Sequence, residues 1–196
     1  MLTDTSRTVL QVLAFLAALL WVGAAIRRSQ TKQRRVWSAF ATRRGWGFTT
    51  SGKRSSVMEL QGQHQGHELS LLTEGRGGSE KRCDVTVLRM DLSDTVPRQL
   101  ALPPEDRLFK LLGGQDAQVG DAELDAALEL QGARVRQHLL EVHRAYEHFT
   151  LEEGLLEAVY RGIPKTLEEL ETVLAPALEL VDALDEAARQ ARERRA

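Results

Sequence analysis

A chain of 196 residues, 42% hydrophobic and 28% charged, has room for about one ordinary globular domain beyond a single apolar segment. One cysteine, Cys83, excludes an internal disulfide and is in keeping with a reducing compartment. The net charge of −2 hides a strong segregation, with ten Lys and Arg against one acid in residues 1–54 and seventeen acids against five bases in residues 115–186.

Residues 1–7 read as a short N-terminal tail. Residues 8–26, TVLQVLAFLAALLWVGAAI, are 19 positions without a charge. A helix of that length rises about 28 Å, close to the ~30 Å hydrocarbon core of a bilayer. Trp21 stands near one end, where amphipathic rings prefer the headgroup level. Two readings compete. In a cleavable signal peptide, Arg7 forms the basic start and Gly23-Ala24-Ala25 the small-residue cleavage site. Against it stand Arg27, Arg28, Lys32, Arg34 and Arg35, because positive charge just after an apolar run resists translocation. The expectation is therefore an uncleaved, single-pass transmembrane helix over 8–26 in the inner (cell) membrane. Its N-terminus is outside and its C-terminal domain is cytoplasmic.

The same five basic residues, Arg27, Arg28, Lys32, Arg34 and Arg35, are the candidate contacts for anionic lipid, at about 1 kcal/mol each near the surface. Their simpler role is the topology signal itself on a solvated helix face. A nucleic-acid partner is not expected, because the basic block abuts the apolar run and the domain that follows is acidic. The acidic segment reads as a solvated helix surface rather than a docking face.

Residues 27–45 continue as a basic juxtamembrane helix. Val36, Trp37, Phe40 and Ala41 form one apolar stripe expected to pack on the domain, with Gly45 and Gly47 as the stop. A helix lying in the membrane interface is the lesser alternative. The remaining domain, 46–196, opens with strands. VMELQG and HELSLLTE flank QHQG, a hairpin signal, and GRGG marks the next turn. CDVTVLRMDL alternates with apolar residues on both faces, as a central strand does. Cys83, Val85 and Val87 share one face, and Thr86, Leu88 and Met90 share the other. RQLALPP reads as a short edge strand, and 105–112 as a short helix. Asp121 is a candidate N-cap, and 127–131 a candidate strand. A helix is expected over 133–149, with Val135, Leu139, Val142 and Tyr146 on one face. TLEEGLLEAVYRGIP is ambiguous. Thr150 and Glu153 match a capping box, whereas Gly154 and Gly162 bracketing LLEAVYR favour a strand.

A second capping box, Thr166 and Glu169, starts a long terminal helix. Leu167, Leu170, Leu174, Ala177, Val181, Leu184, Ala188 and Ala191 recur at steps of three and four, a heptad seam. Val173 and Leu178 widen that stripe and Pro176 interrupts it, so packing inside the domain is preferred to a coiled coil. The expected fold is α+β: an N-terminal transmembrane helix, then an antiparallel sheet packed by two or three helices.

GDAELDAALELQG, residues 120–132, resembles a G-D-x-x-F-D-x-x-F-x-V-x-G pattern of uncharacterised bacterial membrane-anchored domains. Gly120, Asp121, Asp125 and Gly132 match, while Leu124 and Leu128 stand where aromatic residues are usual. The resemblance implies a mixed helix-and-sheet domain behind a membrane helix, and no activity.

No catalytic, cofactor-binding or metal-ligating set is expected. His64 and His67 have H-x-x-H spacing but no further Cys or His to complete a tight zinc site, so a solvated turn is expected. His138, His143 and His148 rotate by about 140° at each step and do not share a helix face. Cys83 is expected to be a small buried strand residue, and Asp121 with Asp125 a cap rather than an acid pair. Phosphate-loop, dinucleotide and nucleophile-elbow motifs are missing. The expected function is a membrane-tethered binding or scaffolding module with the lipid bilayer and an unidentified protein as partners. The alternatives are a membrane-anchored enzyme and a structural protein that self-associates through its last helix.

Overall fold

A computed structural model describes residues 4–51, 57–77, 83–95, 134, 135 and 137–195. The first element, α1, spans Asp4–Arg44 without interruption. Its end is fixed by a left-handed residue, Gly45, with φ of 70°. The Trp46 N–H reaches the Ala41 carbonyl at 2.8 Å and the Gly45 N–H reaches Thr42 at 3.3 Å, the paired bonds of a Schellman stop. Trp37, Phe40 and Ala41 are buried, so the apolar stripe packs on the domain as its spacing predicts. The Trp37 indole also donates to the Pro164 carbonyl at 3.1 Å, which satisfies a polar group that would otherwise be buried unpaired.

Among the described residues no helix is long and apolar enough to cross a membrane. Within 8–26 the described side chains are those of residues 15, 17–22, 24 and 25. A crossing at 8–26 is thus not shown.

Six strands follow: β1 Gly47–Ser51, β2 Val57–His64, β3 His67–Arg76, β4 Cys83–Asp91, β5 His148–Glu152 and β6 Leu155–Arg161. They form one antiparallel sheet in the order β1-β2-β3-β4-β6-β5. Two hairpins are closed by two-residue turns with positive φ at both positions, Gln65-Gly66 and Glu153-Gly154. That geometry matches the right-handed twist of the strands it joins. The first turn is therefore tighter than the QHQG stretch suggested, because His64 and His67 are themselves paired across it.

Register sorts the side chains by face. Leu60, Leu71, Leu88, Met90, Leu156 and Ala158 point into the main core. Val85, Val87 and Val159 form a small buried cluster on the opposite face with Leu72 beside it. β4 is central and apolar on both faces, as its alternation implied. Cys83 departs from expectation. It is exposed at the first residue of β4, and its thiol lies 3.4 Å from the Arg76 carbonyl.

Two helices cover the main core. α2 comprises residues 134, 135 and 137–145, and α3 spans Leu167–Arg195. The helix expected over 133–149 ends early. The Tyr146 N–H still closes a turn on Val142 at 3.0 Å, but the Glu147 N–H turns to Val159 in β6 at 2.8 Å. From there Phe149 and Leu151 bury alternately, and the period of two decides for a strand. The capping-box reading of Thr150 and Glu153 fails for the same reason, since Thr150 lies in β5 and Glu153 in the turn. LLEAVYR is β6, as its bracketing glycines implied.

α3 starts with Thr166 as its N-cap: the Glu169 N–H donates to Thr166 Oγ1 at 3.0 Å, and Glu169 Oε2 accepts from the Lys165 N–H at 2.6 Å, one residue before the amide that a capping box uses. It continues through Pro176. Leu170, Leu174, Ala177, Val181 and Leu184 are buried, and so are Val173, Leu178, Leu180, Ala183 and Ala187 between them. This face is wider than a coiled-coil seam, and it is occupied by the chain's own sheet and α2. Each fully buried leucine there contributes about 1.5–3 kcal/mol relative to exposure. The proposed edge strand in RQLALPP, the helix over 105–112, the Asp121 cap, the strand over 127–131 and the 120–132 motif lie outside the described residues.

Candidate functional site

Three clusters of polar side chains among the described residues bear on function. The first is a cleft of about 650 Å³ between the β2–β3 turn and α3, lined by His67, Thr95, Arg134, Asp182, Asp185 and Arg189 among others. The tight Gln65-Gly66 turn holds His64 and His67 opposite α3. Asp182 and Asp185, three residues apart on that helix, meet one histidine each. His64 Nε2 lies 2.7 Å from Asp182 Oδ1. His67 Nε2 lies 3.0 and 3.1 Å from the two oxygens of Asp185, and His67 Nδ1 lies 3.1 Å from the Asp91 carbonyl. The Thr95 hydroxyl donates to Asp185 Oδ1 at 2.8 Å. The Arg192 guanidinium donates to the Asp94 carbonyl at 2.7 Å, tying the same loop to the end of α3.

The expected solvated turn is thereby corrected. His67 is 9% exposed, and its ring is a buried link between sheet and helix. Sequence spacing missed it because its partner lies 118 residues away. The one available signal was Asp182 and Asp185 at helical spacing on the edge of an apolar stripe. Both ring nitrogens of His67 face acceptors, so neither is presented to the cleft as a general base.

The second cluster is on the far face of the sheet. Glu74, Arg76, Arg89 and Glu157 close a ring of alternating charge, with contacts of 3.2, 3.0, 2.9 and 3.4 Å. Burial pushes the Glu157 carboxyl up, but hydrogen bonds from Arg89 and Arg76 outweigh it and hold its pKa below the usual range. The Glu157 hydrogen bond, against desolvation and with help from Glu74, raises Arg76 above its ordinary value. The ring is charge-balanced and internally satisfied, which suits a structural clasp across three strands. Beside it lies a shallow cleft of about 760 Å³ lined by Gln61, Gln63, Glu68, Ser70, Arg89 and Asp91, with Trp46 at its rim.

The third cluster joins the two helices. His138 and Glu141 on α2 meet Glu179 on α3, and one ligand atom from each lies within 4.8 Å of the others. Spacing along the chain does not reveal it, because Glu179 stands on a different helix from His138 and Glu141 and meets them only when α2 and α3 pack.

Of the five basic residues expected to meet lipid, Arg28, Lys32, Arg34 and Arg35 are exposed on α1, and the Arg27 side chain lies outside those described. At 100° per residue, Arg28, Lys32 and Arg35 form a stripe opposite the buried Trp37 and Phe40. The structure does not bring them to either cleft. Comparison with family models, curated proteins and solved structures found no match for this chain.

Proposed function

We propose that the chain is a membrane-tethered binding or scaffolding module, anchored by the uncharged run 8–26, with the α+β domain on the cytoplasmic side. One observation carries this reading: the two halves of α1 are partnered differently. Its lower half is buried in the domain through Trp37 and Phe40, whereas Phe15, Leu20 and Trp21 are 66, 76 and 74% exposed. Large apolar side chains bared around a helix call for an apolar surrounding, and a bilayer supplies one. The uncharged run of 19 residues in the sequence is long enough for a crossing, and the arginine excess that follows it sets the direction.

Because α1 is one helix, the anchor is a rigid post rather than a loose tether. About 16 Å of helix separates Ile26 from Trp37. The Arg28–Lys32–Arg35 stripe lies on that stretch and turns away from the domain, where anionic headgroups are within reach. A binding role is favoured over catalysis because His67 is engaged at both nitrogens, and the cleft beside Trp46 offers donors and acceptors of both signs to a polar partner.

The experiment is a topology assay on the full chain. A reporter active only in the cytoplasm, fused after Ala196, is expected to be active, and the protein to stay in the membrane fraction after alkaline extraction. Activity of a periplasm-only reporter, release by alkali, or a mature N-terminus near residue 26 would overturn the anchor.

A further inference from the structure

We propose that His138, Glu141 and Glu179 form a binding site for a first-row divalent transition-metal ion, of which Zn²⁺ is the natural probe. His138 and Glu141 stand three residues apart on α2 and so share a face, and Glu179 approaches from α3. Glu141 Oε2 lies 3.0 Å from His138 Nδ1, and Glu179 Oε2 lies 3.7 Å from the same nitrogen. Three donors bound at about 2.0–2.1 Å around a tetrahedral ion sit roughly 3.3 Å apart. The two spacings to His138 bracket that value, the two carboxylate oxygens lie within 4.8 Å of each other, and Glu179 is more than half exposed and has room to close in.

An ion pair alone accounts for this arrangement less well. A single imidazole N–H makes one good hydrogen bond, and 3.7 Å is beyond hydrogen-bond range. Glu179 would then approach a second carboxylate with no proton between them. A cation among the three donors accepts both oxygens and the nitrogen together. Glu141 is also held in place from behind, since Gln137 Nε2 donates to its other oxygen at 3.0 Å. One imidazole with two carboxylates suits Zn²⁺ and its neighbours. Mg²⁺ and Ca²⁺ prefer all-oxygen sets and are not expected to compete. With three protein ligands one position stays open to solvent, and the ion would staple α2 to α3 over the core.

The test uses the full-length chain in detergent, stripped with a chelator and titrated with Zn²⁺ by calorimetry, with melting temperature read in parallel. One equivalent is expected to bind and to raise the melting temperature. Glu179→Gln is expected to abolish the rise and weaken binding at least tenfold, and His138→Ala to do the same. Gln137→Ala, which removes only the support of a ligand, is expected to weaken binding by about 10–100-fold. Glu179 is exposed, so its replacement leaves a folded protein against which the loss can be judged. Absence of Zn²⁺ binding, binding unchanged in Glu179→Gln, or binding lost instead in His64→Ala would overturn the site.

Discussion

His67 Nε2 and Asp185 Oδ1 stand 3.0 Å apart, joining the first residue of β3 to the middle of α3 across 118 positions of sequence. The pair is mostly buried, at 9 and 17% exposure, whereas the neighbouring His64–Asp182 pair is more open to solvent, at 19 and 40%. Burial, not distance, separates the two in energy, since exposed ion pairs contribute little and buried groups left unpaired cost much.

Replacing His67 with Ala therefore strands Asp185 with only the Thr95 hydroxyl, and a loss of about 2–3 kcal/mol is expected. His64→Ala is expected to cost no more than about 1 kcal/mol. Urea unfolding of both variants, with unchanged slope, measures the difference. Equal losses would show that His67 is not the link described.

Leu174 is fully buried on the α3 face. Leu174→Ala is expected to lose about 2–5 kcal/mol through the cavity it leaves. Light scattering before and after the substitution is expected to give the same mass. A wild-type oligomer that becomes a folded monomer would instead assign the heptad seam to self-association.

Tyr146 donates its hydroxyl to the Val173 carbonyl, one turn before Pro176. Burial pushes the phenol's pKa up, against a smaller opposing hydrogen bond from the Ala177 backbone. A folded-state pKa above the unfolded one means stability that is complete below about pH 10 and lost as pH rises past it. Tyr146→Phe is expected to cost about 1 kcal/mol at neutral pH and to flatten that alkaline decline. Thermal melts from pH 7 to 11 on both proteins check this, and an alkaline limb unchanged in the variant would contradict it.

Gly62 lies on the core face of β2 beneath Trp46, and a methyl group added there would overlap the indole ring. Gly62→Ala is expected to destabilise by about 1–3 kcal/mol by displacing Trp46 from its edge-on packing against Phe40. Trp46 is half-buried, so its displacement is expected to redden the emission of a variant that keeps Trp21 and Trp37 in place. Unchanged stability and emission would mean that the ring yields at no cost.

Local chemistry wrote much of this fold into the sequence. Alternation made β4 central, Thr166 with Glu169 began α3, Gly45 ended α1, and the period of Trp37 and Phe40 turned that helix onto the core. Each is decided within a few residues, by side-chain period or by one backbone group finding a near neighbour. The boundary between α2 and β5 was not, because the Glu147 N–H could choose the Val159 carbonyl only once β6 was beside it. The clusters were hidden for the same reason. Asp185 reaches His67, Glu157 reaches Arg89 and Arg76, and Glu179 reaches His138 only after strands and helices from distant parts of the chain are packed together. Pattern along the chain determined most of the described elements. Which polar groups left water, and in whose company, was decided by tertiary packing, since burial is a property of surfaces brought together rather than of residues in order.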